Sequence, residues 1–143
     1  EDAAPRLPYL KACVRESHRL TPVGVILMVK QAAGPLTLCG HDIPPGTTVA
    51  LNGSAFAKDP QYVDAPEHYL PERFLPDAVA ARKGTPQEVL DHRLLATPFS
   101  AGARMCLGAR VANWEILALT ARLIQDWRFE LEPGQSWTTV QGL

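Results

Sequence analysis

Thirteen prolines in 143 residues, about 9% against a usual share of about 5%, limit this chain to short elements joined by irregular loops. Each fixes φ and removes a backbone donor, so the excess is expected in coil. Pro22 ends a first helix within residues 9–22 by forcing Thr21 out of the α region. Leu10, Val14 and Leu20, with small Cys13 and Ser17, fall on one face of it and predict the buried side. The apolar run 25–29 suits a buried strand. Residues 36–38 and 47–51 flank the turn residues Gly40, Asp42, Pro44, Pro45 and Gly46, which predicts one small sheet. Residues 55–74 have no period and read as coil; residues 76–95 read as an exposed polar excursion with a short helix at 87–92. Val111, Trp114, Leu117, Ala118, Ala121 and Ile124 then repeat at helical spacing through about residue 126, with Trp114 expected in the core. A hairpin of residues 128–131 and 137–140 about Pro133-Gly134 closes the chain. The class is mainly α with small β-sheets.

Composition narrows the function classes. The chain is 46% hydrophobic and 20% charged with a net charge of −1, which gives no electrostatic case for nucleic acid. It holds no apolar run long enough to cross a bilayer and no leader sequence, so any anchor is expected upstream. Cys13, Cys39 and Cys106 have no zinc-like or disulfide spacing, and no Cys-x-x-Cys-His is present, which fits a reducing compartment. His18, His41, His68 and His92 lack metal-ligand spacing and are expected at the surface or satisfied in the core.

The segment Phe99-Ser100-Ala101-Gly102-Ala103-Arg104-Met105-Cys106-Leu107-Gly108 sets one cysteine between two glycines and before a helix. A lone cysteine is ordinarily a small buried hydrophobe. Five fixed positions (Phe99, Gly102, Arg104, Cys106, Gly108) recur by chance in a chain this long only on the order of once in ten thousand, however. Gly102 permits a tight turn against a flat cofactor, and Gly108 lets the next helix approach it without a Cβ. Arg104 offers a fork to a heme propionate. A helix start beside Cys106 favours the ionised sulfur, the form that binds iron. Two further motifs precede it: Glu16-Ser17-His18-Arg19, whose charged pair is three apart on a helix, and Pro71-Glu72-Arg73-Phe74 in proline-rich coil.

In this order the three motifs resemble those of the cytochrome P450 family, over essentially the whole chain. The resemblance implies that residues 1–143 are a carboxyl-terminal, proximal heme-side part of a single P450 domain whose amino-terminal part lies elsewhere. It implies heme b with Cys106 as axial iron ligand and catalytic thiolate, Arg104 on a propionate, and Phe99 near the sulfur. Glu16, Arg19 and Arg73 are implied to form a buried network pinning the coil beneath the heme loop. The activity implied is insertion of one oxygen atom of O2 into a small apolar substrate, such as a sterol or other lipid. A thiolate-heme isomerase or dehydratase, or a truncated non-catalytic product, would share these residues. Lys11 and Arg15, four apart on one helical face, with Arg110, are most similar to the mitochondrial type; they imply docking of a ferredoxin-type donor, the alternative being a reductase. The expected location is intracellular, membrane-associated through an upstream segment, and mitochondrial rather than in the endoplasmic reticulum. Ala109, where a second arginine is usual, and an apolar 26–29 run without arginine depart from that type. Residues 25–29 and 111–124 are expected to leave apolar surface uncovered in this chain.

Overall fold

The computed structural model describes residues 7–24, 26–92, 98–100 and 102–134. Helix α1 (Pro8–Leu20) opens with proline in its first turn, where a missing N–H costs nothing, and ends where the Thr21 N–H returns to the Ser17 carbonyl at 2.8 Å. Its buried residues are Ala12, Glu16 and Arg19, spaced four and three apart on one face. The apolar face expected from Leu10, Val14 and Leu20 is only half-buried, and Ser17 is exposed. The helix therefore turns charge inward, because Glu16 and Arg19 satisfy each other and Arg19 also donates to carbonyls of the coil packed against it.

Four strands follow: β1 (Ile26–Gln31), β2 (Leu36–Leu38), β3 (His41–Ile43) and β4 (Thr48–Asn52). They make two antiparallel ribbons, β1 with β4 and β2 with β3, instead of the single sheet expected. The β2–β3 hairpin turns on Cys39 and Gly40 alone, both at positive φ (49° and 81°), as the twist of a two-residue hairpin demands. The β1–β4 ladder is carried on by Ala32 N–H to the Thr47 carbonyl at 2.9 Å, so the hairpin is an excursion from the end of the larger ribbon. The run at 25–29 was expected to be buried; residue 25 lies outside the described residues, and Val29 is exposed on β1.

After β4 the chain enters α2 (Gly53–Ala57), capped by the Asn52 side chain, which accepts from Ser54 N–H at 3.0 Å and Ala55 N–H at 3.3 Å. Turns lead to a 3₁₀ helix at Pro71–Phe74, then α3 (Pro76–Ala81), a second 3₁₀ helix at Pro86–Asp91, and α4 (Ala109–Asp126). The stretch expected to be an exposed excursion is anchored: Leu90 and Arg82 are buried. The described core is small, formed by Ala12, Ala32, Val63, Phe74, Leu90 and Ala109, and buried Glu16, Arg19 and Arg82 lie with it.

Of α4 only Ala109 is buried; Val111, Ala118 and Ile124 are exposed, Trp114 lies at the margin, and Leu117 and Ala121 are half-buried, although their spacing suggested a core stripe. Among the described residues nothing covers that face. Residues 128–131 form no strand; Arg128 and Glu130 pair at 2.6 Å in solvent, and the rest of the expected hairpin lies outside the described residues.

Candidate functional site

The site is built on Glu16. Arg19, three residues along α1, grips the Glu16 carboxylate with both ends of its fork: Nε to Oε2 and Nη2 to Oε1, each at 2.8 Å. Arg73 of the first 3₁₀ helix adds Nε to Oε1 at 3.1 Å, and the Leu70 N–H donates to the same oxygen at 2.9 Å. Glu16 is 0% exposed. Burial alone would push its carboxyl up; the Arg19 fork, the Leu70 N–H and the Arg73 charge more than offset that and hold it below the usual carboxylate range. The three residues singled out in sequence thus lie together, as a charge-assisted cluster in which one anion meets two guanidinium groups.

Those guanidinium groups reach further. Arg19 donates to the carbonyls of Ala57, Pro66 and His68 at 2.8, 2.7 and 3.1 Å. Arg73 donates to those of Asp64, Ala65 and His68 at 2.9, 3.3 and 3.4 Å. The coil of residues 58–70 has no ladder to satisfy its backbone, so the arginines act as its hydrogen-bonding partner. The first 3₁₀ helix is tied to α1 from outside as well, by Tyr9 Oη to Glu72 Oε1 at 2.8 Å.

The cysteine loop packs over the same helix. Phe99 stands edge-on to His18, ring centroids 6.1 Å apart, and the Phe99 carbonyl accepts the Cys106 N–H at 3.0 Å. The chain reverses between them with Ser100 at φ 62° and Gly102 at φ 85°, where Gly102 alone meets no steric penalty. Met105 N–H closes the inner turn on the Gly102 carbonyl at 3.1 Å. Cys106 is a free, exposed thiol, and Arg104, Met105 and Leu107 are exposed around it. Helix α4 begins three residues later, with Gly108 at its N-cap, not at Cys106 itself. A Cβ at Gly108 would stand 3.8 Å from Cys106 Sγ, an ordinary contact. An accessible soft sulfur on a tight loop, with exposed Arg104, Met105 and Leu107 next to it in the chain, fits a thiolate-bound heme.

His18 was expected to be satisfied or at the surface. Its Nε2 is instead buried with no hydrogen-bond partner among the described residues, and burial pulls the imidazole below its ordinary pKa. Arg15 differs from expectation too. Paired with Lys11 in sequence as a docking stripe, it turns toward Asp91 at 3.2 Å and over the Phe74 ring at 4.2 Å. Lys11 is half-buried and Arg110 is exposed on α4. Asp91 and Arg82 carry no motif, and sequence reasoning passed over both.

A buried Glu-Arg-Arg cluster at the helix against which a glycine-flanked cysteine loop packs fits the class of heme-thiolate proteins. The family model described as Cytochrome P450 matches residues 1–142, and the chain belongs to that family, whose members bind heme. It is 37% identical over its whole length to ferruginol synthase of Salvia fruticosa, and 36% identical over 136 residues to the cytochrome P450 monooxygenase olcB of Penicillium canescens, covering 92% of the chain. It spans 27% of the length of each, about a quarter. Among solved structures it is similar to retinoic acid-bound cyanobacterial CYP120A1, with TM-score 0.73 and 29% identity over 92% of this chain and 29% of that one. A zebrafish cytochrome P450 with abiraterone gives TM-score 0.67 and 34% identity over 86% of this chain and 26% of that one.

Proposed function

We propose that this chain supplies the proximal half of a monooxygenase that inserts one oxygen atom of O2 into an apolar, lipid-like substrate. The observation that carries the reading is Cys106: a free, exposed thiol on a loop whose backbone is fixed from Phe99 and Gly102. Bound heme supplies activation of O2 with electrons from a donor protein. The protein's share is to hold the sulfur in place and in reach. The Phe99 carbonyl holds the Cys106 N–H, the Arg104 fork would take a propionate of bound heme, and the Glu16 cluster fixes the coil packed against α1. Relatives named for ferruginol synthesis, and a neighbour holding retinoic acid, support an apolar substrate.

The electron donor belongs to the same proposal. Exposed Arg110 and half-buried Lys11 present cationic charge toward an acidic, ferredoxin-type partner, and a mitochondrial setting accompanies that choice. Reduction that proceeds with a flavoprotein reductase and fails with a ferredoxin would reverse it.

The decisive experiment replaces the sulfur. In the full-length, heme-loaded protein, Cys106→Ala is expected to abolish the strongly red-shifted ferrous–CO band that thiolate ligation gives, and oxygen insertion with it. A variant that keeps the band sinks the assignment.

A further inference from the structure

A second charge cluster adjoins the Glu16 network and lies directly upstream of the cysteine loop. Arg82, just past α3, grips Asp91 with its fork, Nε to Oδ2 at 2.6 Å and Nη2 to Oδ1 at 2.7 Å. Arg15 of α1 adds Nη2 to Oδ1 at 3.2 Å. The Phe74 ring carries both guanidinium groups, Arg15 Cζ at 4.2 Å and Arg82 Cζ at 5.6 Å from its centroid. Arg82 Nη1 also donates to the Arg73 carbonyl, which joins this cluster to the first one. Four elements, α1, both 3₁₀ helices and the end of α3, meet here.

Its position in the chain gives the cluster its meaning. Asp91 is the last residue of the second 3₁₀ helix, and Pro98 and Phe99 follow seven and eight residues later. Helix α1 therefore holds the approach to the loop at two places, Arg15 on Asp91 and His18 on Phe99. A bidentate fork fixes direction as well as distance, so an aspartate gripped by Arg82 sets where the chain sets out toward Cys106.

We infer that Asp91, held by Arg82 and Arg15 beside the Phe74 ring, is a positioning residue for the Cys106 thiolate, and that Arg15 serves this clamp and not the docking of a donor. The inference rests on Cys106 being the heme ligand. Groups that orient a metal's ligands typically change metal affinity by about tenfold or more when removed.

The test compares the full-length, heme-loaded parent with Asp91→Asn and Asp91→Glu at equal heme content. It follows the ratio of the thiolate-type ferrous–CO band to the shorter-wavelength band left when thiolate ligation is lost, and the rate of that conversion on mild warming. Asp91→Asn is expected to convert about tenfold faster with a lower starting ratio, and Asp91→Glu, which keeps the charge, to recover most of the parent's lifetime. A parent-like ratio and rate in Asp91→Asn overturns the inference. So does lowered heme content in which the remaining heme keeps the parent ratio, because that is plain destabilisation. Should Asp91→Asn not fold, Arg15→Gln at its half-exposed position decides: several-fold faster conversion supports the clamp. Slower reduction by an acidic donor with a parent-like ratio overturns it and returns Arg15 to the docking surface. A parent that lacks the thiolate band strikes at the reading of Cys106, not at Asp91.

Discussion

Glu16 is where one atom change has the largest consequence. Its two oxygens take four hydrogen bonds, from Arg19 twice, Leu70 and Arg73. Glu16→Gln leaves two largely buried guanidinium groups without their anion, a loss of about 3–5 kcal/mol, read as the shift in denaturation midpoint of the full-length protein. Arg73→Ala is expected to cost nearly as much. Glu16 and Asp91 both have carboxyls held below their ordinary values in the fold. Their contribution is therefore complete above the unfolded carboxylate pKa of about 4 and is lost as pH falls through the lower folded value, which gives an acid limb that Glu16→Gln flattens. His18 has the same sign for the opposite reason: it is buried neutral, the unfolded chain takes its proton first, and stability falls as pH drops below about 6.5. His18→Phe keeps a ring against Phe99 and removes the orphaned Nε2. It is expected to raise stability by about 1 kcal/mol or more near pH 6 and to level the slope between pH 5 and 7 in a urea titration series. A variant as pH-dependent as the parent would show that His18 is hydrated.

Among the elements, α1 and α4 were legible in advance, whereas α2 runs into a stretch read as coil and α3 into one read as a polar excursion. What was not legible was which face each would bury. Leu10, Val14 and Leu20 form an apolar stripe that pattern reasoning sends inward, yet the cost of leaving coil carbonyls unsatisfied places Glu16 and Arg19 inside. The cysteine loop and the Glu-Arg-Arg residues could be read because fixed spacing marks them. Arg82 and Asp91 could not, being nine residues apart on different elements with no period between them. The two ribbons were half-visible: the segments of β1, β2 and β4 were read as extended, but β3 was taken for part of a turn, and nothing local says that β1 skips β2 to pair with β4. Asn52 shows how closely β4 and α2 are joined. Asn52→Ala removes the cap from a five-residue helix and is expected to cost about 1 kcal/mol, checked by chemical denaturation against Asn52→Asp, which keeps an acceptor and should lose only a few tenths.

For the molecule as a whole the balance between core and surface is unusual. Few apolar side chains are buried, while Leu107 is 99% exposed and Trp127 and Phe129 about two-thirds exposed beside the outer face of α4. Isolated exposed residues of this kind are ordinary, but a run of them along one helix and its extension is adhesive. Expressed by itself, the 143-residue chain is expected to self-associate in a concentration-dependent way, and 0.5–1 M salt, which screens charge within about 3–4 Å, should not dissolve the assemblies. It should also hold heme only weakly. Sedimentation at two salt concentrations checks the first expectation and heme titration the second; a monomer that takes up one heme with a thiolate spectrum contradicts both.

The arginines that gather the 58–70 coil donate to its carbonyl oxygens, while Asp64, Glu67 and His68 face solvent. Such a holder is blind to spelling and strict about length. Evolution can rewrite those exposed letters freely, but adding or deleting one slides every carbonyl past the fork that reads it.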